Sequence, residues 1–143
     1  MNQVRFFSAD RKINLKNRKL FKLSLAKLFI AENRNLKTLS IIFCSDNFLH
    51  RINQQHLNHN YYTDIITFQL SDEHHSIDGE VYISIDRIKE NAKVYLSSYQ
   101  NELGRVIIHG ALHLCGYNDK TAKEKKIMRM KEDYYIKKFS RET

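Results

Sequence analysis

The chain is 143 residues long, 42% hydrophobic and 28% charged, without a single proline. That suits one soluble domain with one core, and no apolar run approaches the ~20 residues of a membrane span. Its two cysteines are too few for a disulfide framework, and its start lacks a signal-peptide pattern, so a reducing cytoplasm is expected. The net charge of +8 is unevenly spread. Residues 1–37 hold ten basic and two acidic side chains, 38–96 four and eight, and 97–143 ten and six. Two basic ends flank an acidic middle, a distribution that suits a phosphate backbone.

In chain order, Val4 to Ser8 is a short apolar-rich run, read as a first strand. Asn17 to Glu32 reads as a helix whose stripe is Phe21, Leu25, Leu28 and Phe29. Lys19, Lys22 and Lys27 lie mostly off that stripe, as solubilising charges or as part of an RNA-facing patch. Leu36 to Cys44 reads as a buried strand, and Ser45 as the N-cap of a helix reaching about His56. Thr63 to Leu70 and Glu80 to Ile85 alternate as strands around a turn-rich loop, 71–79. His74 and His75 in that loop read as solvated rather than as ligands. Asp86 or Ser84 caps a helix to about Leu96, and Ser97 or Ser98 starts the next, which runs to Cys115. Val106, Ile107, Ala111 and Leu114 make that helix apolar nearly all round, so it should be central and buried. Thr121-Ala122-Lys123-Glu124 is a capping box opening a last helix, with Met128, Tyr135 and Phe139 on one side. The order β-α-β-α-β-β-α-α-α predicts a single α+β domain over residues 1–143, a small mixed sheet packed with about five helices.

The chemistry concentrates in 105–119. His109 and His113 are four apart, which on a helix places them ~40° apart around the axis and ~6 Å along it, so that both imidazoles face one point. Such a pair alone is more often packing than a metal site. Here Gly116 is placed to end the helix in a left-handed turn, and Asp119 can return to the open side of the same ion as a third ligand. Helical metallopeptidases carry a glutamate after the first histidine; this chain has Gly110, which counts against peptide hydrolysis. Cys115 points to another face of the helix and reads as packing.

His109-Gly110-Ala111-Leu112-His113-Leu114-Cys115-Gly116-Tyr117 resembles the H-G-x-L-H-L-x-G-Y-D-H signature of the bacterial endoribonuclease YbeY (rRNA maturation factor) family. Thr63 to Phe68 looks like its T-D-V-L-S-F strand, and Gly79 to Ile83 like its G-D-I strand. The resemblance implies a four-stranded sheet with the motif helix at its centre. It also implies a metal-dependent, single-strand-specific endoribonuclease acting in 16S rRNA 3′-end maturation and ribosome quality control, with rRNA and the small ribosomal subunit as partners. Where the family has Asp-His this chain has Asn118-Asp119, which lowers the net charge of a divalent site from +2 to +1. The family arginine falls on Leu57 and a family proline on Tyr62; His56 and His59 nearby read better as surface histidines than as replacement cations.

The expectation is one zinc ion, or another divalent ion, on His109, His113 and Asp119, activating water and polarising a phosphoryl oxygen, with Asp64 as candidate base. The Leu57 and Asp119 departures keep two alternatives open. One is an rRNA-binding assembly factor with a structural metal and little catalysis; the other is a metallohydrolase of another substrate.

Overall fold

Parallel pairing needs crossovers, and this chain supplies them with helices. A computed structural model describes residues 3–13, 15–57, 63–73 and 75–140; His59, Tyr62 and His74 lie outside the described residues. β1 (Val4–Ser8) leads through α1 (Arg18–Ala31) to β2 (Asn35–Cys44), and the two strands pair in parallel. α2 (Asp46–Leu57) leads to β3 (Ile65–Gln69) and β4 (Ser76–Ser84), where β4 joins β2 in parallel and β3 lies antiparallel on its outer edge. The sheet order is β1-β2-β4-β3. Then follow α3 (Ile85–Val94), α4 (Tyr99–Leu114) and α5 (Ala122–Ser140). This is the expected single domain, a four-stranded mixed sheet with five helices.

The caps explain the helix starts. Ser45 Oγ accepts from Phe48 N, Ser84 Oγ from Arg87 N and Ser98 Oγ from Asn101 N. Thr121 and Glu124 complete a reciprocal capping box: Thr121 Oγ1 accepts from Glu124 N at 3.1 Å, and Glu124 Oε1 from Thr121 N at 2.9 Å. Only α1 starts otherwise, with Asn17 in the left-handed conformation.

One face of the sheet packs on the main core. Leu39, Ile41, Phe43, Val81 and Ile83 meet Leu25, Leu28 and Phe29 of α1 and Leu103, Ile107, Ala111 and Leu112 of α4 in one buried cluster. A smaller cluster of Cys44, Leu49 and Ile66 is backed by Phe48 and Ile52 of α2. α4 touches α1, α3, α5, β3 and β4, so the helix carrying the two histidines is central.

β4 begins four residues before the expected Glu80, within the segment read as loop. Ser76 to Gly79 pair with Asn35 to Leu39 of β2. Their turn-like residue types have tertiary causes: Asp78 accepts from Thr38 Oγ1, and a Cβ on Gly79 would lie 2.9 Å from Leu114 Cδ1 of α4.

Candidate metal centre

α4 presents its histidines where it lies closest to the sheet. A Cβ on Gly110 would come within 2.8 Å of Ile65 Cδ1 and 2.9 Å of Val81 Cγ1. A glutamate after His109 therefore has no room, which is the physical reason the peptidase pattern is broken here. The helix ends in a complete Schellman motif. Tyr117 N donates to Leu112 O at 3.1 Å and Gly116 N to His113 O at 3.0 Å, with Gly116 at φ +101°. Arg34 Nη2 donates to the Cys115 carbonyl at 2.7 Å, placing a cation at the helix's negative end. The chain then turns back and enters α5, bringing Asp119 over the histidines.

Three donor atoms converge. His109 Nε2 lies 3.0 Å from His113 Nε2 and 3.2 Å from Asp119 Oδ2, and His113 Nε2 lies 3.5 Å from the same oxygen. Ligands bound at ~2.0–2.1 Å in a tetrahedron sit ~3.3 Å apart, so the triangle has the size a small divalent cation requires. It is also the one group of three or more potential ligands among the described residues that could hold an ion. Burial fits too: both imidazoles are about four-fifths buried and Asp119 is the more exposed member, so the open coordination side faces outward.

Glu132 of α5 was not anticipated. Its Oε2 accepts from His109 Nδ1 at 2.6 Å and its Oε1 from Arg105 Nη1 at 2.8 Å, while Arg105 Nη2 also donates to Asp133 at 2.8 Å. With Nδ1 donating to a carboxylate, His109 directs the lone pair of Nε2 into the triangle, the arrangement that typically orients a metal-binding histidine. Burial lowers the basicity of His109, but the hydrogen bond and charge of Glu132, backed by Asp119 and Asp64, outweigh it and raise its pKa. His113 moves down, through burial and the neighbouring His109, against the opposing pull of Asp119. The signal that could have found Glu132 is its position: 128, 132, 135 and 139 form one helical stripe, and a carboxylate among Met128, Tyr135 and Phe139 must be buried and paired.

A second buried carboxylate secures the returning turn. Glu32, the C-cap of α1, accepts from Tyr117 OH at 2.6 Å, from Tyr135 OH, and from Lys131 Nζ at 3.2 Å. Three elements thus meet at one anion beside the motif.

Cys115 lies outside the donor triangle, and burial pushes its thiol up to about 12, so it packs as expected. Asp64 is not in the triangle either. It stands half-buried just before β3 on the wall of a cleft of about 730 Å³, shared with His109, Asp119 and Glu102. Glu102, one turn and more before Arg105, is buried, and desolvation raises its pKa. His56 meets the Phe68 ring edge-on, Leu57 is exposed at the end of α2, and His75 is exposed. Lys19, Lys22 and Lys27 do not line the cleft.

Comparison with known proteins decides the family. The family model described as Endoribonuclease YbeY matches residues 3–140. This chain belongs to the endoribonuclease YbeY family. Among its relatives, endoribonuclease YbeY of Cytophaga hutchinsonii is 46% identical over 128 residues, covering 90% of both chains. That of Amoebophilus asiaticus is 43% identical over 133 residues, 93% of this chain and 90% of the relative. The solution structure of TM1509 from Thermotoga maritima superposes with a TM-score of 0.65 at 28% identity, over 97% of this chain and 90% of that one. The YbeY assignment thus covers the sheet, the motif helix and α5 together. Among the described residues no helix is long and apolar enough to cross a membrane.

Proposed function

We propose that this chain is a zinc-dependent endoribonuclease that cuts single-stranded RNA, acting with the small ribosomal subunit in 16S rRNA 3′-end maturation and quality control in the cytoplasm. The observation that carries it is the donor triangle of His109, His113 and Asp119, sized for a cation and opening into a cleft, in a chain of the YbeY family. Structural zinc sites close with four protein ligands, whereas catalytic ones keep a side open; three donors at the edge of a cleft favour catalysis over a purely structural metal.

A divalent ion held there lowers the pKa of water and polarises a phosphoryl oxygen. The protein's part is orientation and proton handling. Glu132 fixes the tautomer of His109, and the buried faces of both imidazoles hold their rotamers without help from the ion. Asp119 leaves a divalent site at net +1, softer toward phosphate than a three-histidine site and a reason why other divalent ions compete with zinc. Asp64, on the cleft wall beside His109, takes the proton that the attacking water gives up.

The test is metal analysis of the unsubstituted protein, His113→Ala, Asp119→Ala and Cys115→Ala, with cleavage of single-stranded RNA assayed on the same samples. Zinc and cleavage should vanish together in the first two variants and persist in the third. Metal lost from Cys115→Ala but kept by Asp119→Ala refutes the ligand set; metal-loaded protein that leaves RNA intact refutes the enzyme.

A further inference from the structure

The turn between α3 and α4 exposes what a fold normally hides. Val94 is 63%, Tyr95 68% and Leu96 94% exposed, and Leu96, a branched residue, holds a left-handed backbone at φ 52°. That conformation costs about 1–2 kcal/mol and gains no burial in return. Tyr95 nevertheless has a definite place: with Asn91 and Ser97 it lines the same cleft as His109 and Asp119.

The opposite wall is the first two turns of α5. Lys125, Lys126 and Arg129 line the cleft there, exposed, with Lys125 and Arg129 one turn apart on the face that also carries Glu132. Arg105 deeper in the cleft is committed to Glu132 and Asp133, whereas no ion pair holds Lys125, Lys126 or Arg129 among the described residues. The cleft therefore has an aromatic lip, a cationic rim and the donor triangle between them. An aromatic ring is sequence-tolerant toward the π-face of any base, and unpaired cations follow the backbone of a strand. An RNA duplex, with its bases stacked inside, offers Tyr95 nothing to stack on.

We infer that the α3–α4 turn and the start of α5 form the strand-binding subsite of the centre: Tyr95 stacks an unpaired base next to the cut, and Lys125, Lys126 and Arg129 hold the phosphates beside it. This rests on RNA being the substrate and explains, from this chain's own residues, why that RNA is single-stranded. It also supplies phosphate-binding charge from α5 in a chain with Leu57 where the family has an arginine.

The experiment is equilibrium binding of a short, fluorescein-labelled single-stranded RNA with phosphorothioate linkages to the zinc-loaded full chain, read by anisotropy over a salt series, with cleavage of ordinary RNA measured alongside. Tyr95→Ala should weaken binding about tenfold to a hundredfold without changing the salt slope, and Tyr95→Phe should restore it. Lys125→Ala/Lys126→Ala should lower the slope of log affinity against log salt by about 1.4. Lys19→Ala/Lys22→Ala, which removes equal charge from α1, should leave that slope in place, with zinc content unchanged in every variant. Binding and cleavage unaffected by Tyr95→Ala, or an α1 pair that costs as much as the α5 pair, overturns the subsite alone. An unsubstituted protein that neither binds nor cuts single-stranded RNA overturns the endoribonuclease reading and the subsite with it.

Discussion

Replacing Glu132 by glutamine tests the least expected part of the centre. The substitution keeps the volume and one carbonyl oxygen but removes the charge that receives His109 Nδ1 at 2.6 Å and Arg105 Nη1 at 2.8 Å. Arg105 retains Asp133, so no buried cation is stranded and the fold should survive. What is lost is the charge-assisted bond that sets the tautomer and ring angle of His109. Removing such a partner typically weakens a metal site about 10–100-fold, which is about 1.4–2.8 kcal/mol. Glu132→Ala should fall at or beyond the upper end, since the ring then has no acceptor and a small void opens beside it. Zinc dissociation constants from competition with a chromophoric chelator give the numbers, with thermal melts of the metal-free proteins as the control for folding. If Glu132→Gln binds zinc as tightly as the unsubstituted protein, the carboxylate does not orient His109 and the argument from its geometry fails.

Glu32→Gln should destabilise the protein by about 2 kcal/mol through loss of charge-assisted bonds from the two tyrosines and Lys131, a fall in Tm of about 4–8 °C by calorimetry. Burial alone would raise the Glu32 pKa, but the bonds from Tyr117, Tyr135 and Lys131 carry it below its ordinary value. Its contribution is therefore complete above the unfolded carboxylate pKa and lost as pH falls through the lower folded value; a pH series of melts should show that acid loss shrinking in Glu32→Gln. Gly116→Ala, at φ +101° with its nearest neighbour 3.8 Å away, should cost about 1–2 kcal/mol from backbone strain alone, read in urea titrations. Gly110→Glu, the peptidase pattern restored, should fail to fold or lose more than about 3 kcal/mol, because the carboxylate enters the contact between Ile65 and Val81; expression and circular dichroism decide it.

What the sequence revealed and what it concealed divide along a physical line. The spacing of His109, His113, Gly116 and Asp119 is short-range information, because helix pitch and a left-handed stop fix where each side chain goes before anything else packs. The caps Ser45, Ser84, Ser98 and Thr121 are local in the same way and appear where they were expected. The start of β4 was misplaced because Ser76, Asp78 and Gly79 carry turn propensities that their pairing with β2 overrides. Gly110 gave no local reason for its smallness; the reason is a sheet residue 45 positions away in contact, Ile65.

The two carboxylates that organise the centre were hidden differently. Glu132 lies 23 residues from His109, and Glu32 lies 85 from Tyr117, so no periodicity joins either pair. Each nevertheless left a mark as a charge where the pattern calls for an apolar residue: Glu132 inside the stripe of α5, Glu102 among the buried residues of α4, Glu32 at the end of an apolar helix. An ionised group does not stay in such a place without a partner. The sequence held one set of unclaimed buried acids and one set of clustered donors, His109, His113, Arg105 and Tyr117. Matching the first set to the second is an inference about chemistry rather than about spacing, and it leads from two histidines on one helix to the α1, α4 and α5 framework that holds them.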